Sequence, residues 1–372
     1  MFTKFIRPAI IALVAVAAFQ ACKKSGTTPS AGSTGFDRKG MLTNLSTNII
    51  IPGYVSFQTS VVSLDSSIAA FNASPDLIKL GSLQATFKTA YQKWQAVSTF
   101  DFGPAATENL RISLNTFPAD VTQITNNVNT GSYNLASLSA LPAQGLPAID
   151  YLLFGTGADN NAILVQYTTD SQATNRKAYL AAVSTIIKTK ATNVLTAWKT
   201  TYPATFIAAA GTDVGSSVGM LTNELNQDFE VIKNYEIGIP LGIQSMGTTF
   251  PTKVQAYYSK ISLQLSLLHL QAIQNIYQGK SAQGDGLGFD DYLTQANAQY
   301  NGGSLNTAIL AQFAAATAKL QALSDPLALQ ITGNAAGVNA AYTALQMQTV
   351  LLKTDMPSAL GILITYGDTD GD

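Results

Sequence analysis

The chain has 372 residues, of which 47% are hydrophobic and only 12% charged, and its formal net charge is -1. That length suffices for two domains with a sizeable core. Without a basic block or stripe, there is no electrostatic case for nucleic-acid binding. One cysteine, Cys22, and one histidine, His269, exclude an intrachain disulfide and a zinc site built from several His or Cys ligands. A metal site would have to be mainly oxygen-ligated.

The first segment, MFTKFIRPAIIALVAVAAFQAC, has the pattern of an export signal. Lys4 and Arg7 precede an apolar stretch that is too short to span a bilayer comfortably. Ala21 stands directly before the only cysteine, as at the cleavage site of a bacterial lipoprotein. We expect residues 1–21 to be a signal peptide and the Cys22 thiol to be lipidated. An ordinary secretory signal that happens to contain a cysteine is the alternative.

Residues 22–38 then form the lipidated cysteine and a flexible tether rich in Ser, Gly, Thr and Pro. We therefore predict that the protein binds the membrane through its N-terminal lipid. The predicted location is the cell envelope, at the periplasmic or surface face of the outer membrane.

The rest of the chain reads as helices, because apolar residues recur every three or four positions. In chain order, such stripes run over residues 54–71, 77–97, 179–198, 218–232, 254–276 and 305–323, and from 338 onward. No convincing run alternates as a strand would. The predicted fold class is therefore all-α, with two packed up-and-down helical bundles. We place them at 39–205 and 206–372, with the hinge in residues 200–213.

Irregular stretches between the stripes hold the candidate site residues. In 98–121, Gly103-Pro104 ends one helix and starts another. Glu108 and Arg111 stand three apart on the new element and could pair. A tight helix corner without a functional role explains this stretch equally well.

Residues 145–155, GLPAIDYLLFG, set one carboxylate in an apolar stripe. If a helix begins at Pro147, Asp150 lies in its first turn, where free N–H groups and the helix dipole favour a negative charge. A buried carboxylate aimed at a ligand is the alternative. Because a buried charge without a partner is costly, we expect Asp150 to accept hydrogen bonds from backbone N–H groups or from a donor across the domain interface.

Residues 234–264 make a long glycine-containing connection, and Tyr258 and Ser259 open the helix that follows it. Loops of this length between helices are often functional, although a simple crossover explains it too. His269 falls on an apolar helical face without a Ser-His-Asp or Cys-His motif around it, which is typical of a packing residue.

Five stretches occur in an order that resembles the imelysin-like family: FDFGPA, TFPADV, GLPAIDYLLFG, GIPLG and AYYSKISLQLSLLHLQAI. The resemblance spans about residues 40–366. It implies two helical bundles that face each other with a site at their interface, an exported or lipoprotein location, and an association with iron uptake. The cleft candidates are Gly103, Pro104, Glu108, Arg111, Gly145, Pro147, Asp150, Tyr258 and Ser259.

The metallopeptidase branch of that family carries a Gly-x-His-x-x-Glu motif where this chain has Gly145, Pro147 and Asp150. Proline cannot bind a metal through its side chain, so only one carboxylate of the metal pair remains. We therefore predict a non-catalytic protein that binds a small ligand or an envelope protein in the cleft, with a role in iron or haem uptake. No catalytic residue and no cofactor is predicted.

Two alternatives remain open at this point. One is a metal-dependent hydrolase that holds a divalent ion with Asp150 and other carboxylates such as Glu108. The other is a purely structural envelope protein.

Overall fold

The computed structural model describes residues 35–366. The predicted signal peptide, Cys22 and most of the tether lie outside the described residues and remain predictions. The all-α prediction is confirmed, because the regular secondary structure of the described chain is helical apart from two antiparallel ribbons with strands of two residues each. None of its described helices is both long and apolar enough to cross a membrane.

Ten α-helices lie between residues 35 and 209. They are α1 (Arg38–Asn44), α2 (Ile51–Ala73), α3 (Leu77–Trp94), α4 (Pro104–Thr107), α5 (Leu110–Asn115), α6 (Val121–Thr130), α7 (Gly145–Asp150), α8 (Asn160–Thr168), α9 (Ala173–Thr200) and α10 (Tyr202–Ala208). Turns of π-helix run over Leu45–Ile50 and Tyr151–Gly155, and a 3₁₀-helix over Leu138–Ala143.

Eight α-helices follow in the part of the chain up to residue 366. They are α11 (Ser217–Glu230), α12 (Ile239–Leu241), α13 (Ser262–Tyr277), α14 (Phe289–Gln295), α15 (Leu305–Gln321), α16 (Leu327–Gly333), α17 (Ala335–Val350) and α18 (Met356–Leu360). The strands are β1 (Lys280–Ser281), β2 (Gly284–Asp285), β3 (Gln299–Tyr300) and β4 (Gly303–Ser304). Two π-helices run over Val231–Gly238 and Leu351–Asp355, and 3₁₀-helices over Ile243–Ser245 and Pro251–Lys253.

The first bundle is built on α2, which packs along α3 and α9. The apolar stripe of α2 is fully buried, and its Phe57 ring lies 5.5 Å from the Trp94 ring of α3. Gly103 and Pro104 lead into α4, which packs on α9. Burial of these large side chains is the main favourable contribution to this half of the fold.

The second bundle is built on α11, α13, α15 and α17. Phe313 of α15 lies at its centre, with its ring 6.2 Å from that of Phe229 in α11 and 5.8 Å from that of Tyr277 in α13. Contacts between α3 and α13 bring the two bundles together. This arrangement places residues 94–117 of the first bundle opposite α11 and α13 of the second.

Helix α1 lies against the second half of the chain although it precedes the first bundle. The Asn44 side-chain amide donates to the backbone oxygens of Gly279 and Leu287, at 2.7 and 3.0 Å. The Arg38 Nε donates to the backbone oxygen of Ala210 at 2.7 Å. Within the predicted hinge, residues 202–208 form α10, so this connection is itself largely helical.

The predicted helix over 254–276 is wrong in its first part, because α13 begins only at Ser262. Ala256 and Lys260 have φ of 51° and 60°, a left-handed conformation that no helix interior accommodates. Asp325 instead caps the late start, since its carboxylate accepts from the backbone N–H groups of Leu263 and Gln264 at 2.8 and 3.0 Å.

Candidate functional site

A cavity of about 370 Å³ lies where the two bundles meet. Its walls are Trp94, Ser98, Asp101, Arg111, Ile112, Asn115, Thr116 and Phe117 on one side and Gln227, Asp228, Glu230, Val231, Asn234, Tyr235, His269 and Tyr366 on the other. This volume is in the range of small-molecule sites. Its lining combines four aromatic rings with a set of buried charges.

His269 lies at the centre of these charges, clamped between two carboxylates. Its Nε2 is 2.7 Å from Asp228 Oδ2, and its Nδ1 is 2.9 Å from Glu236 Oε1. Burial alone would lower the pKa of His269, but the attraction of Asp228 and Glu236 outweighs it and raises the pKa to about 10. The ring is therefore an imidazolium at neutral pH, and both of its N–H groups donate.

Asp228 is the acceptor that joins this clamp to the first bundle. Its Oδ2 accepts from Thr99 Oγ1 at 2.7 Å and from Ser98 Oγ at 3.0 Å in addition to His269. Burial would raise the pKa of Asp228, but His269, Arg111 and the hydrogen bonds hold it well below its usual range. The carboxylate stays ionised although only 1% of the residue is exposed.

Arg111 gathers three more contacts with carboxylates. Its Nη2 donates to Glu224 Oε2 at 2.8 Å, whereas its Nη1 is 3.6 Å from Asp101 Oδ2 and its Nε is 3.8 Å from Asp228 Oδ1. Nη2 also donates to the backbone oxygen of Ser98 at 3.1 Å. Burial raises the pKa of Glu224 to about 7, and repulsion from Asp101 and Asp228 adds to the rise that Arg111 opposes. The single positive charge of Arg111 therefore does not balance the three carboxylates around it, those of Glu224, Asp101 and Asp228.

Ser98, His269 and Glu236 have the spacing of a nucleophile, a base and an orienting acid, since Ser98 Oγ is 3.0 Å from His269 Nε2. A general base must be able to accept the serine proton. The imidazolium cannot, because its Nε2–H is directed to Asp228 and Glu236 takes the other N–H. The arrangement holds charge in place rather than activating Ser98.

Asp150 is buried at the end of α7, and both of its oxygens are occupied. Oδ2 accepts from the backbone N–H of Tyr258 and Oδ1 from that of Ser259, each at 2.9 Å. Burial raises the pKa of Asp150 to about 6, although these hydrogen bonds oppose the rise. The carboxylate ties the first bundle to the irregular segment that precedes α13.

The family model for imelysin (peptidase M75) matches residues 50–352. The chain belongs to the imelysin family. A curated relative, iron-regulated protein A of Synechococcus elongatus, is 21% identical over 289 residues, which cover 75% of this chain and 74% of the relative.

Two solved structures share the imelysin fold with this chain. One is a protein designated an iron-regulated protein A precursor from Parabacteroides distasonis, with a TM-score of 0.70, 16% identity, and coverage of 87% of this chain and 95% of the other. The second is an imelysin-like protein from Psychrobacter arcticum, with a TM-score of 0.69, 18% identity, and coverage of 88% and 97%.

Within this imelysin fold, the residues predicted to share one cleft divide among three places. Arg111 lines the cavity between the bundles. Gly103, Pro104 and Glu108 border a separate surface depression beside Tyr202. Pro147, Asp150 and Tyr258 border a small pocket of about 30 Å³. Ser259 reaches the last group through its bond to Asp150, and Gly145 begins α7 there.

Two local predictions about these residues are wrong. Asp150 ends α7 instead of lying in its first turn, so its donors come from a segment more than 100 residues away and not from its own helix. Glu108 and Arg111 do not pair, because Asn109 between them is left-handed and breaks the helix. Glu108 instead lies 3.8 Å from Lys190 Nζ and accepts from Asn193.

The residues at the family's motif do not fit a metal ion. Pro147 offers no side-chain donor, and each Asp150 oxygen already accepts a backbone hydrogen bond. Around His269, the two carboxylates take opposite ring nitrogens and so do not converge on one point. Over residues 35–366, no group of three or more His, Cys, Asp and Glu side chains is arranged to hold an ion.

Sequence reasoning missed Ser98, Asp228 and Glu236, and it assigned His269 to packing alone. A signal was present for two of them. Asp228 follows Leu225 by three positions and Glu236 follows Ile232 by four, so both fall on the apolar face of their helical stripe, where a buried charge needs a partner. The partner is the lone histidine, which lies 41 residues after Asp228 and 33 residues after Glu236.

Proposed function

We propose that this imelysin-family protein is a cell-envelope protein that binds a small ligand in the cavity between its bundles without catalysing a reaction on it. The observation that carries the proposal is the cavity itself, whose charged wall is held in place from both bundles by the Arg111, Asp228 and His269 network. Preformed polar groups in a partly apolar cavity are what small-molecule sites share.

Two features support a non-catalytic role. The imidazolium of His269 has no free nitrogen with which to accept a proton, and Asp228, the carboxylate to which Ser98 donates, is a weak base because its pKa is held well below its usual range. The Asp150 oxygens are both engaged by backbone donors, which weighs against the hydrolase alternative. The hydrogen-bonded groups thus resemble a fixed binding surface more than a reacting centre.

We further propose that the protein acts in iron or haem uptake and that the lipid on Cys22 anchors it to the outer membrane. The name of the Synechococcus relative, iron-regulated protein A, supports the link to iron. The export pattern of residues 1–22 supports the location. A strain lacking the protein should then grow more slowly than its parent only when iron is limiting, and equal growth in both conditions would contradict this role.

Native mass spectrometry of the protein purified from its own envelope tests ligand binding. Ile112 lines the cavity from α5, so Ile112→Trp should fill part of it. We expect the wild-type protein to retain a small molecule that Ile112→Trp has lost. Ile78→Trp, at a position on α3 that is 86% exposed, is the matched control and should retain it. Equal retention by both variants, or none by the wild type, would contradict the proposal.

A further inference from the structure

We propose that the cavity between the bundles binds an organic ammonium ion that also carries a hydrogen-bond acceptor, with its cationic group facing Asp101. This inference rests on the proposed function and names the ligand class of the same site. Three observations carry it: the balance of charges around the cavity, its aromatic lining, and one buried donor without an acceptor.

One carboxylate beside the cavity, that of Asp101, has no close cationic partner among the described residues. His269 serves Asp228 and Glu236, and the short contact of Arg111 goes to Glu224 at 2.8 Å. Among the described residues, Asp101 accepts one long hydrogen bond, from the backbone N–H of Arg111 at 3.4 Å, and its Oδ2 lies 3.6 Å from Arg111 Nη1, which is too long for a direct hydrogen bond. Its side chain is 22% exposed and lines the cavity. Asp101 is thus the carboxylate that a cation entering the cavity would meet.

Aromatic rings supply the remaining wall. Trp94, Phe117, Tyr235 and Tyr366 all line the cavity. Ring faces attract ammonium groups, and they also cover the apolar part of an organic cation. A carboxylate beside several rings therefore favours an organic ammonium ion over an inorganic ion.

The buried donor is the indole N–H of Trp94. The residue is only 1% exposed and lines the cavity, and its Nε1 has no acceptor among the described residues. Buried N–H groups are nearly always paired in folded proteins. An ether or hydroxyl oxygen on the ligand would supply the missing acceptor.

An anion fits this lining poorly. The N–H groups of His269 and the Nη2 of Arg111 already donate to carboxylates or to a backbone oxygen. An anionic group would therefore face Asp101 and Asp228, and two other cationic nitrogens nearby each lie beside a carboxylate: Arg111 Nη1 is 3.6 Å from Asp101, and Lys353 Nζ is 2.8 Å from Glu230. The lining thus discriminates between ligands that differ in charge alone.

Three probes of one shape test the charge preference: 2-phenoxyethylammonium, 2-phenoxyethanol and phenoxyacetate. In calorimetric titrations of the whole protein at pH 8 and low salt, we expect the ammonium ion to bind at least about tenfold more tightly than the alcohol, with phenoxyacetate the weakest. Equal or tighter binding of the alcohol or of phenoxyacetate would overturn the ligand class, and so would no binding of the ammonium ion.

Two variants locate the contacts. Asp101→Asn should weaken 2-phenoxyethylammonium at least about tenfold and leave 2-phenoxyethanol nearly unchanged. Asp170→Asn, which alters an Asp–Arg pair away from the cavity, is the matched control and should change neither. Trp94→Phe should abolish any preference for 2-phenoxyethylammonium over 3-phenylpropylammonium, its counterpart without the ether oxygen. An unchanged affinity in Asp101→Asn would refute the assignment, with melting temperatures confirming that each variant is folded.

The failure of this inference can be told apart from the failure of the proposed function. If native mass spectrometry shows a molecule that Ile112→Trp loses, but the ammonium probe has no advantage, only the ligand class is wrong. If no molecule is retained and none of the probes binds, the cavity is not a binding site and both proposals fall.

Discussion

Replacing Asp150 by alanine removes the acceptor for two backbone N–H groups, that of Tyr258, which is partly buried, and that of Ser259, which is buried. The alanine methyl group cannot accept a hydrogen bond, so both N–H groups lose the partner that they have in the wild type. The segment over residues 254–261 also carries two left-handed residues, Ala256 and Lys260, whose conformation has to be held by its surroundings. Asp150 is one of the groups that hold it.

The size of the effect follows from the hydrogen bonds. A buried donor left without an acceptor costs about 1–3 kcal/mol, so two such donors amount to about 2–6 kcal/mol. Removing a carboxylate whose burial is unfavourable, as its raised pKa of about 6 indicates, offsets part of this loss. We therefore expect Asp150→Ala to lower the free energy of unfolding by about 2–4 kcal/mol at pH 7.

Urea unfolding followed by tryptophan fluorescence measures this directly. Asp120→Ala is the matched control, since Asp120 caps α6 by accepting one backbone hydrogen bond at the surface, and its loss should cost only about 1 kcal/mol. If Asp150→Ala cost no more than Asp120→Ala, Asp150 would not be the structural tie described above. In calorimetric titrations, the wild-type protein should show no zinc, iron(II) or calcium binding that depends on Asp150. Micromolar binding lost in Asp150→Asn would revive the hydrolase alternative.

Three further predictions concern other parts of the chain. Gly145→Ala should lower the free energy of unfolding by about 2 kcal/mol or more, because φ is +74° and the new Cβ would lie 2.5 Å from the Leu114 backbone oxygen. Its control is Gly81→Ala on α3, where nothing lies within 4 Å of the new Cβ, and this change should be neutral or stabilising in the same urea assay. Equal effects of the two substitutions would contradict the steric argument. The pKa of His269 is raised from 6.5 to about 10, so the charged ring stabilises the fold fully below pH 6.5, and this contribution is lost as the pH rises through 10. The unfolding free energies of wild type and His269→Gln should therefore converge between pH 6 and pH 10. A constant difference between them would show that the histidine is not charged. Cys22→Ser should release the protein from carbonate-washed membranes, and retention there would rule out the lipid anchor.

The helical fold could be predicted from the sequence because its cause is local. Apolar residues every three or four positions form the buried faces of α2, α3, α9, α11 and α15. The pattern failed over 254–261, where the side chains keep the helical period but the backbone does not. There the hydrogen bonds to Asp150 and the left-handed Ala256 and Lys260 determine the structure, and no local pattern encodes a partner so far away in the chain.

The candidate site was harder to predict for the same reason. Arg111 could be selected from its irregular surroundings, but the partner that its helical spacing suggested was the nearest acidic residue in sequence, Glu108. The turn at Asn109 separates the two, and Glu224 of the other bundle takes that place. His269 looked like a packing residue because its own helix is apolar. Its two partners, Asp228 on α11 and Glu236 on the following π-helix, reach His269 only when these elements pack against α13.

The most direct test of a ligand site between the bundles is a crystal structure of the protein purified from its own envelope without denaturation. We expect electron density for an organic molecule in the cavity, with a nitrogen near Asp101 and an oxygen within hydrogen-bond distance of Trp94 Nε1. Density for such a molecule beside Asp150 instead, or a cavity that holds only ordered water in a protein shown to retain a ligand, would contradict the account.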